Sequence, residues 1–195
     1  MNQGEVCLVR RRVASIAVTG VLLTLAGCLI SGTLDEKGGG TLTLKMRLSS
    51  DAQLESRKIR LQSAAVKVTN ATIDKDNWAT FDLKFDDVTK LSTVEHFQHT
   101  TITLTEGPDG TKVLTVKSAN PNPHQLSDEV ISYFGKDMTI AMTLPGPIVK
   151  SNATSTKDQT ATWTYALGDF VAAKEEVMEV TFKAPPAAQD GELAN

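Results

Sequence analysis

The stretch Thr41 to Leu48 reads Thr-Leu-Thr-Leu-Lys-Met-Arg-Leu, apolar at every even position and polar at every odd one. A period of two marks a strand with one buried face, and it returns from Met138 to Leu144. Further strands are predicted at Val66 to Ile73 and Trp78 to Phe85, a hairpin around Asp74-Lys75-Asp76-Asn77 that buries Phe81, Leu83 and Phe85. Thr101 to Thr105 and Lys112 to Val116 flank Gly107-Pro108-Asp109-Gly110, where proline fixes one backbone angle and glycine accepts a positive one. Thr160 to Tyr165 turns Ala161, Trp163 and Tyr165 inward, and Val177 to Phe182 does the same with Met178, Val180 and Phe182. Strands joined by such short turns pair antiparallel.

Helices are predicted in between. Ser50 with Gln53 forms a capping pair ahead of Asp51 to about Ser63. Asp86 and Asp87 cap a short helix through about His96. Past the structureless link Asn120-Pro121-Asn122-Pro123, Ser127 caps a helix with Val130, Ile131 and Phe134 on one face and Gly135 at its end, and Asp169 caps a last turn to Ala173. The expected fold is α+β, one domain over residues 41–183, mostly antiparallel sheet with a few short helices packed on one face. Residues 184–195 read as a polar, disordered tail.

Ahead of the first alternating stretch, Arg10-Arg11-Arg12 precede an uncharged run from Val13 to Leu25, the pattern of an export signal. A twin-arginine signal is the weaker reading of the arginines. The junction Leu25-Ala26-Gly27-Cys28 resembles the lipobox of bacterial lipoproteins. That resemblance implies a signal peptide over residues 1–27, diacylglycerol on the Cys28 thiol, acyl chains such as palmitate, and Cys28 as the first mature residue. An uncleaved membrane anchor is the alternative, but a span needs about 20 apolar residues, and this run is interrupted by Ser15, Thr19, Gly20, Thr24 and Gly27. Residues 28–40, ending in Gly38-Gly39-Gly40, read as the lipidated cysteine and a flexible tether. The triplet is not a phosphate loop, since no Lys-Ser/Thr follows it.

Cys7 and Cys28 are the only cysteines, so the mature chain has no partner for a disulfide and must stand on its core. Cleavage before Cys28 leaves 168 of the 195 residues, enough for one domain. The net charge of −3 includes +2 from Arg10, Arg11, Arg12 and Glu5, so the mature chain carries −5. That is no footprint for nucleic acid, nor for broad attraction to an anionic bilayer, and leaves lipid on Cys28 as the link to the membrane.

Leu144-Pro145-Gly146-Pro147, then Ser151-Asn152-Ala153, then Thr162-Trp163 resemble the Pro-Gly, Ser-Asn-Gly/Ala, Val-x-Trp pattern of LppM-type bacterial lipoproteins. By residue type these positions read as a strand ended by a proline-glycine turn, a nine-residue hairpin loop and a returning strand. The resemblance implies an α+β lipid-binding domain with an apolar cavity, often followed by a membrane helix, in whose place this chain has its polar tail. By pattern alone Phe81, Leu83, Phe85, Met138, Ile140, Met142, Trp163 and Phe182 pack on one another; the resemblance implies that they line the pocket.

Catalytic and metal chemistry find little to work with. In Glu95-His96-Phe97-Gln98-His99 the histidines are three apart, where a zinc peptidase helix sets them four apart around a glutamate. With Cys28 committed to lipid and His124 in a proline-rich link, no third ligand presents itself, and exposed histidines at a helix end are expected. Asp74, Asp76 and Asn77 lack the glycine and glutamate of a calcium loop. No Gly-x-Ser-x-Gly elbow, free thiol or Ser-x-x-Lys helix start offers a nucleophile. Asn70-Ala71-Thr72 and Asn152-Ala153-Thr154 are glycosylation-like triplets without meaning in a bacterial lipoprotein. The expected function is a non-catalytic lipoprotein on the extracytoplasmic side of a bacterial membrane, without cofactor or metal, that binds lipid or another apolar envelope ligand. A structural or protein-binding subunit of an envelope complex is the alternative, and an envelope hydrolase with an unrecognised site the less favoured one.

Overall fold

A computed structural model describes residues 29–184. The expected signal peptide, Cys28 and the tail beyond Ala184 lie outside the described residues.

The chain opens with strand β1 (Leu29–Leu34), continues into β2 (Gly40–Arg47), and passes through helix α1 (Asp51–Arg60) to the hairpin β3 (Val66–Ile73) and β4 (Trp78–Phe85). Two 3-10 turns, Val88–Thr93 and Glu95–Phe97, lead into β5 (Thr100–Glu106) and β6 (Thr111–Ala119). Helix α2 (Asp128–Phe134), β7 (Asp137–Thr143), β8 (Ile148–Ser151), β9 (Ser155–Lys157), β10 (Thr160–Ala166), α3 (Leu167–Ala172) and β11 (Glu175–Lys183) complete the fold. The strands form a seven-stranded sheet in the order β3-β4-β2-β1-β7-β10-β9 and a four-stranded sheet β5-β6-β11-β8. The molecule is sheet-rich with a few short helices; every pairing is antiparallel but that of β1 with β7. Inward side chains of both sheets meet in one hydrophobic core.

Local chemistry sets several boundaries. Ser50 Oγ accepts from Gln53 N and Gln53 Oε1 accepts from Ser49 N, a reciprocal cap that starts α1. Ser127 Oγ accepts from Val130 N, and α2 ends at Gly135 with φ of 98°. Asp109 and Gly110, at φ of 56° and 70°, turn β5 into β6.

Four expectations need correction. Residues 29–34 are not a tether: β1 sits in the middle of the larger sheet between β2 and β7, so the domain begins at Leu29, not Thr41. Its partners supply the order that Ser31 and Gly32 do not. A side chain at position 32 would meet Thr41 O at 2.8 Å and Leu42 Cδ1 at 2.9 Å, so this close approach requires glycine. The segment between β7 and β10 is no simple hairpin loop, because β8 crosses to pair with β11 in the other sheet. The helix expected at Asp86 to His96 is instead two 3-10 turns, the first capped by Asp87. Finally, α3 starts at Leu167, ahead of Asp169, without a side-chain cap.

Candidate ligand-binding cavity

The sheet registers place Leu44, Ile30, Ile140 and Trp163 in one row across β2, β1, β7 and β10. Leu42, Gly32, Met142 and Ala161 form the next row. Opposite them β5, β6 and β11 offer Ile102, Val116 and Met178 in register, then the short Thr100 and Ser118. These middle-sized side chains leave space between the two sheets. A cavity of about 230 Å³ remains between them, closed at its sides by Val88, Leu91 and Phe97 of the 3-10 turns and by Phe170 of α3. His96, Thr100 and Ser118 are the only polar residues on its wall. For scale, an apolar cavity of ~150 Å³ stays dry and takes up benzene.

Met138, Ile140, Met142 and Trp163 line this space, as the resemblance implies. Phe81, Leu83, Phe85 and Phe182 do not: they are between 0% and 2% exposed in the packed part of the core. Phe81 and Leu83 share the rows of Ile140 and Met142 but stand on β4, on the far side of β2, whereas Phe85 and Phe182 lie further along their strands. The sequence reading missed the whole second wall, although the alternation of Leu114, Val116 and Ser118 marks one of its faces.

Trp163 is held in place by the Ser151-Asn152 pair. Its Nε1 donates to Asn152 Oδ1 at 2.8 Å, which also accepts from Glu179 N at 2.8 Å. Asn152 Nδ2 donates to Val177 O at 2.7 Å and Asn152 N to Glu179 O at 3.1 Å. One side chain thus ties β10 of the large sheet to β11 of the small one. This gives the Ser-Asn-Ala and Trp motif a structural role, that of a clip fixing the spacing of the cavity walls.

Beyond the cavity lies a wider groove of about 750 Å³ at the end of the large sheet where β1 begins. Ile30, His96, Met138 and Phe170 border both spaces and stand between them. Lys45, Arg47, Arg57 and Arg60 line the groove, and no carboxylate does. The Arg47 guanidinium stands between the rings of Trp78 and Tyr133, at 5.1 and 5.3 Å. Arg60 Nε lies 2.8 Å from Glu95 Oε1 but is not aimed at it, leaving an exposed, weak ion pair.

His96 is half buried, not exposed as expected, whereas His99 is exposed. Burial, with Arg57 and Arg60 adding repulsion, pushes the His96 pKa down to about 4. The neutral ring places Nδ1 3.0 Å from Arg57 Nη1, so the guanidinium donates to it. Among the described residues no three His, Cys, Asp or Glu side chains gather to hold a metal. Asp74 Oδ1 accepts from Asp76 N and Trp78 N, so it closes its own hairpin turn.

No curated protein matches this sequence. Among solved structures, the folded domain of the Mycobacterium tuberculosis LppM protein, determined by NMR, is similar at 12% identity and a TM-score of 0.49, over 83% of this chain and 94% of that one. The LppM domain family matches residues 33–184, which spans β2 to β11 and only the last two residues of β1. The chain therefore belongs to the LppM domain family.

Proposed function

We infer that this chain is a non-catalytic bacterial lipoprotein whose domain holds a lipid or similar apolar molecule between its two sheets. The observation that carries the reading is the cavity itself: an apolar space between the two sheets with few polar groups, beside a wider groove with which it shares four lining residues. Apolar walls with a few placed polar groups are the common form of a ligand site. Met138, Met142 and Met178 suit a flexible guest, since unbranched thioether side chains adjust to irregular shapes.

The anchor supports the same reading. Arg10 to Arg12, the apolar run and Leu25-Ala26-Gly27-Cys28 support lipid on Cys28 and a domain on the extracytoplasmic side of a membrane. Fatty-acid labelling in a host that matures lipoproteins should mark the wild type and not Cys28→Ala. For the ligand, the full chain is purified in detergent, exchanged extensively, and extracted for mass spectrometry. Lipid retained in fixed ratio by the wild type and lost from Val116→Phe, which fills the cavity, is expected; equal, unspecific traces in both would defeat the reading.

A further inference from the structure

We propose that the groove end of the domain is a docking surface for the headgroups of an anionic bilayer, so that the groove faces the membrane that anchors the chain. This goes beyond ligand binding, and it rests on the lipidation of Cys28 proposed above.

The first argument is covalent. Leu29 is the first residue of β1 and lines the groove, and Cys28 is its immediate neighbour, one peptide unit or about 3.8 Å away. Had residues 28–40 been a free tether, lipid on Cys28 would say nothing about orientation. With β1 built into the middle of the sheet, an acylated Cys28 leaves the domain no slack. The end of the sheet that carries Leu29 and Lys45 is then the end nearest the lipid.

The second argument is charge. The chain is acidic as a whole, yet Lys45, Arg47, Arg57 and Arg60 converge on the groove, with Glu95 beside Arg60 at its edge. Arg47 is braced between two aromatic rings. Anionic headgroups are attracted to such a cluster within a Debye length of the surface.

The third argument is exposed apolar surface. Among the described residues the large hydrophobics left open to solvent are Ile59, Tyr133 and Val149, and two of the three belong to the helices beside the groove. Ile59, at 70% exposure, lies on α1 between the groove-lining Ser56 and Arg60. Tyr133 stacks on Arg47 from α2. Aromatic and aliphatic side chains beside arginines are what a membrane interface receives.

The test uses the full chain, acylated and reconstituted in vesicles of phosphatidylcholine with or without phosphatidylglycerol. Because the mature sequence has no cysteine besides Cys28, a single added thiol can carry a fluorophore. Ile59→Cys places it at the groove; Glu36→Cys places it in the turn after β1, roughly 20 Å away along the strand. Headgroup-nitroxide lipids are the quenchers. The expected result is quenching at position 59 several-fold stronger than at 36, lowered by high salt and by omission of phosphatidylglycerol. Mass spectrometry of the N-terminal peptide reports acylation independently. An acylated chain quenched equally at both positions, or indifferent to salt and to the anionic lipid, overturns the docking surface alone. A chain without acyl groups on Cys28 overturns the anchor reading and the docking proposal with it.

Discussion

The two ends of the core are built by the same alternating pattern and come out differently. Around Phe85 and Phe182 the inward faces are packed, these rings being 2% and 0% exposed. Around Ile140 and Trp163 they face Ile102, Val116 and Met178 across a hollow. The packed end has phenylalanines from both sheets, whereas at the hollow end the sheet faces carry one large ring, Trp163, which is held aside by Asn152, and Phe97 and Phe170 close the sides from outside the sheets. Alternation decides which face is buried; side-chain size and tethering decide whether the buried faces touch.

The sharpest way to break this comparison is to empty the packed end. Phe85→Ala should cost about 3–5 kcal/mol, because a new void opens among packed side chains, measured by urea unfolding. Asn152→Ala should cost about 2–3 kcal/mol, since it leaves Trp163 Nε1 and Glu179 N without their acceptor; it should also widen the hollow end, seen as a red shift of Trp163 emission.

The hollow end carries its own pH dependence. The unfolded chain protonates His96 near 6.5, while the folded one resists until about 4. Stability is therefore unaffected by this group above pH 6.5 and falls by about 2–3 kcal/mol as pH drops through that window, levelling below 4. Unfolding at pH 7 and pH 4.5 should show the loss in the wild type, and a clearly smaller one in His96→Gln. The smallest effect is the most discriminating. Val116→Phe adds volume at the hollow end and should change stability by less than ~1 kcal/mol, whereas Val66→Phe, in the packed end at 0% exposure, should cost about 1–3 kcal/mol. Equal costs would mean that the ends do not differ.

Much of this was legible in the residues. The alternation of Leu42 and Leu44, the Asp74–Asn77 turn, the Ser50–Gln53 cap and the inward set Met138, Ile140, Met142 and Trp163 all appear where the pattern puts them. Strand β1 was not legible, because Leu-Ile-Ser-Gly-Thr-Leu carries no clean period and its order comes from neighbours distant in sequence. Nor was the clip: Asn152 looks like a loop residue until β8 is seen crossing to the small sheet. The site was half legible, since a period of two assigns Phe85 and Met142 to the same face and is silent on how far along the sheets each stands.

The central claim is that an apolar chain occupies the space beside Trp163. In a Trp78→Phe background Trp163 is the only tryptophan, and at 4% exposure it is reached only from within the cavity. Full-length protein in vesicles containing lipids with brominated acyl chains, which quench on contact, puts this to the test. The account predicts saturable quenching of Trp163 that Val116→Phe abolishes. Emission unchanged by brominated lipid in the unfilled protein would contradict it.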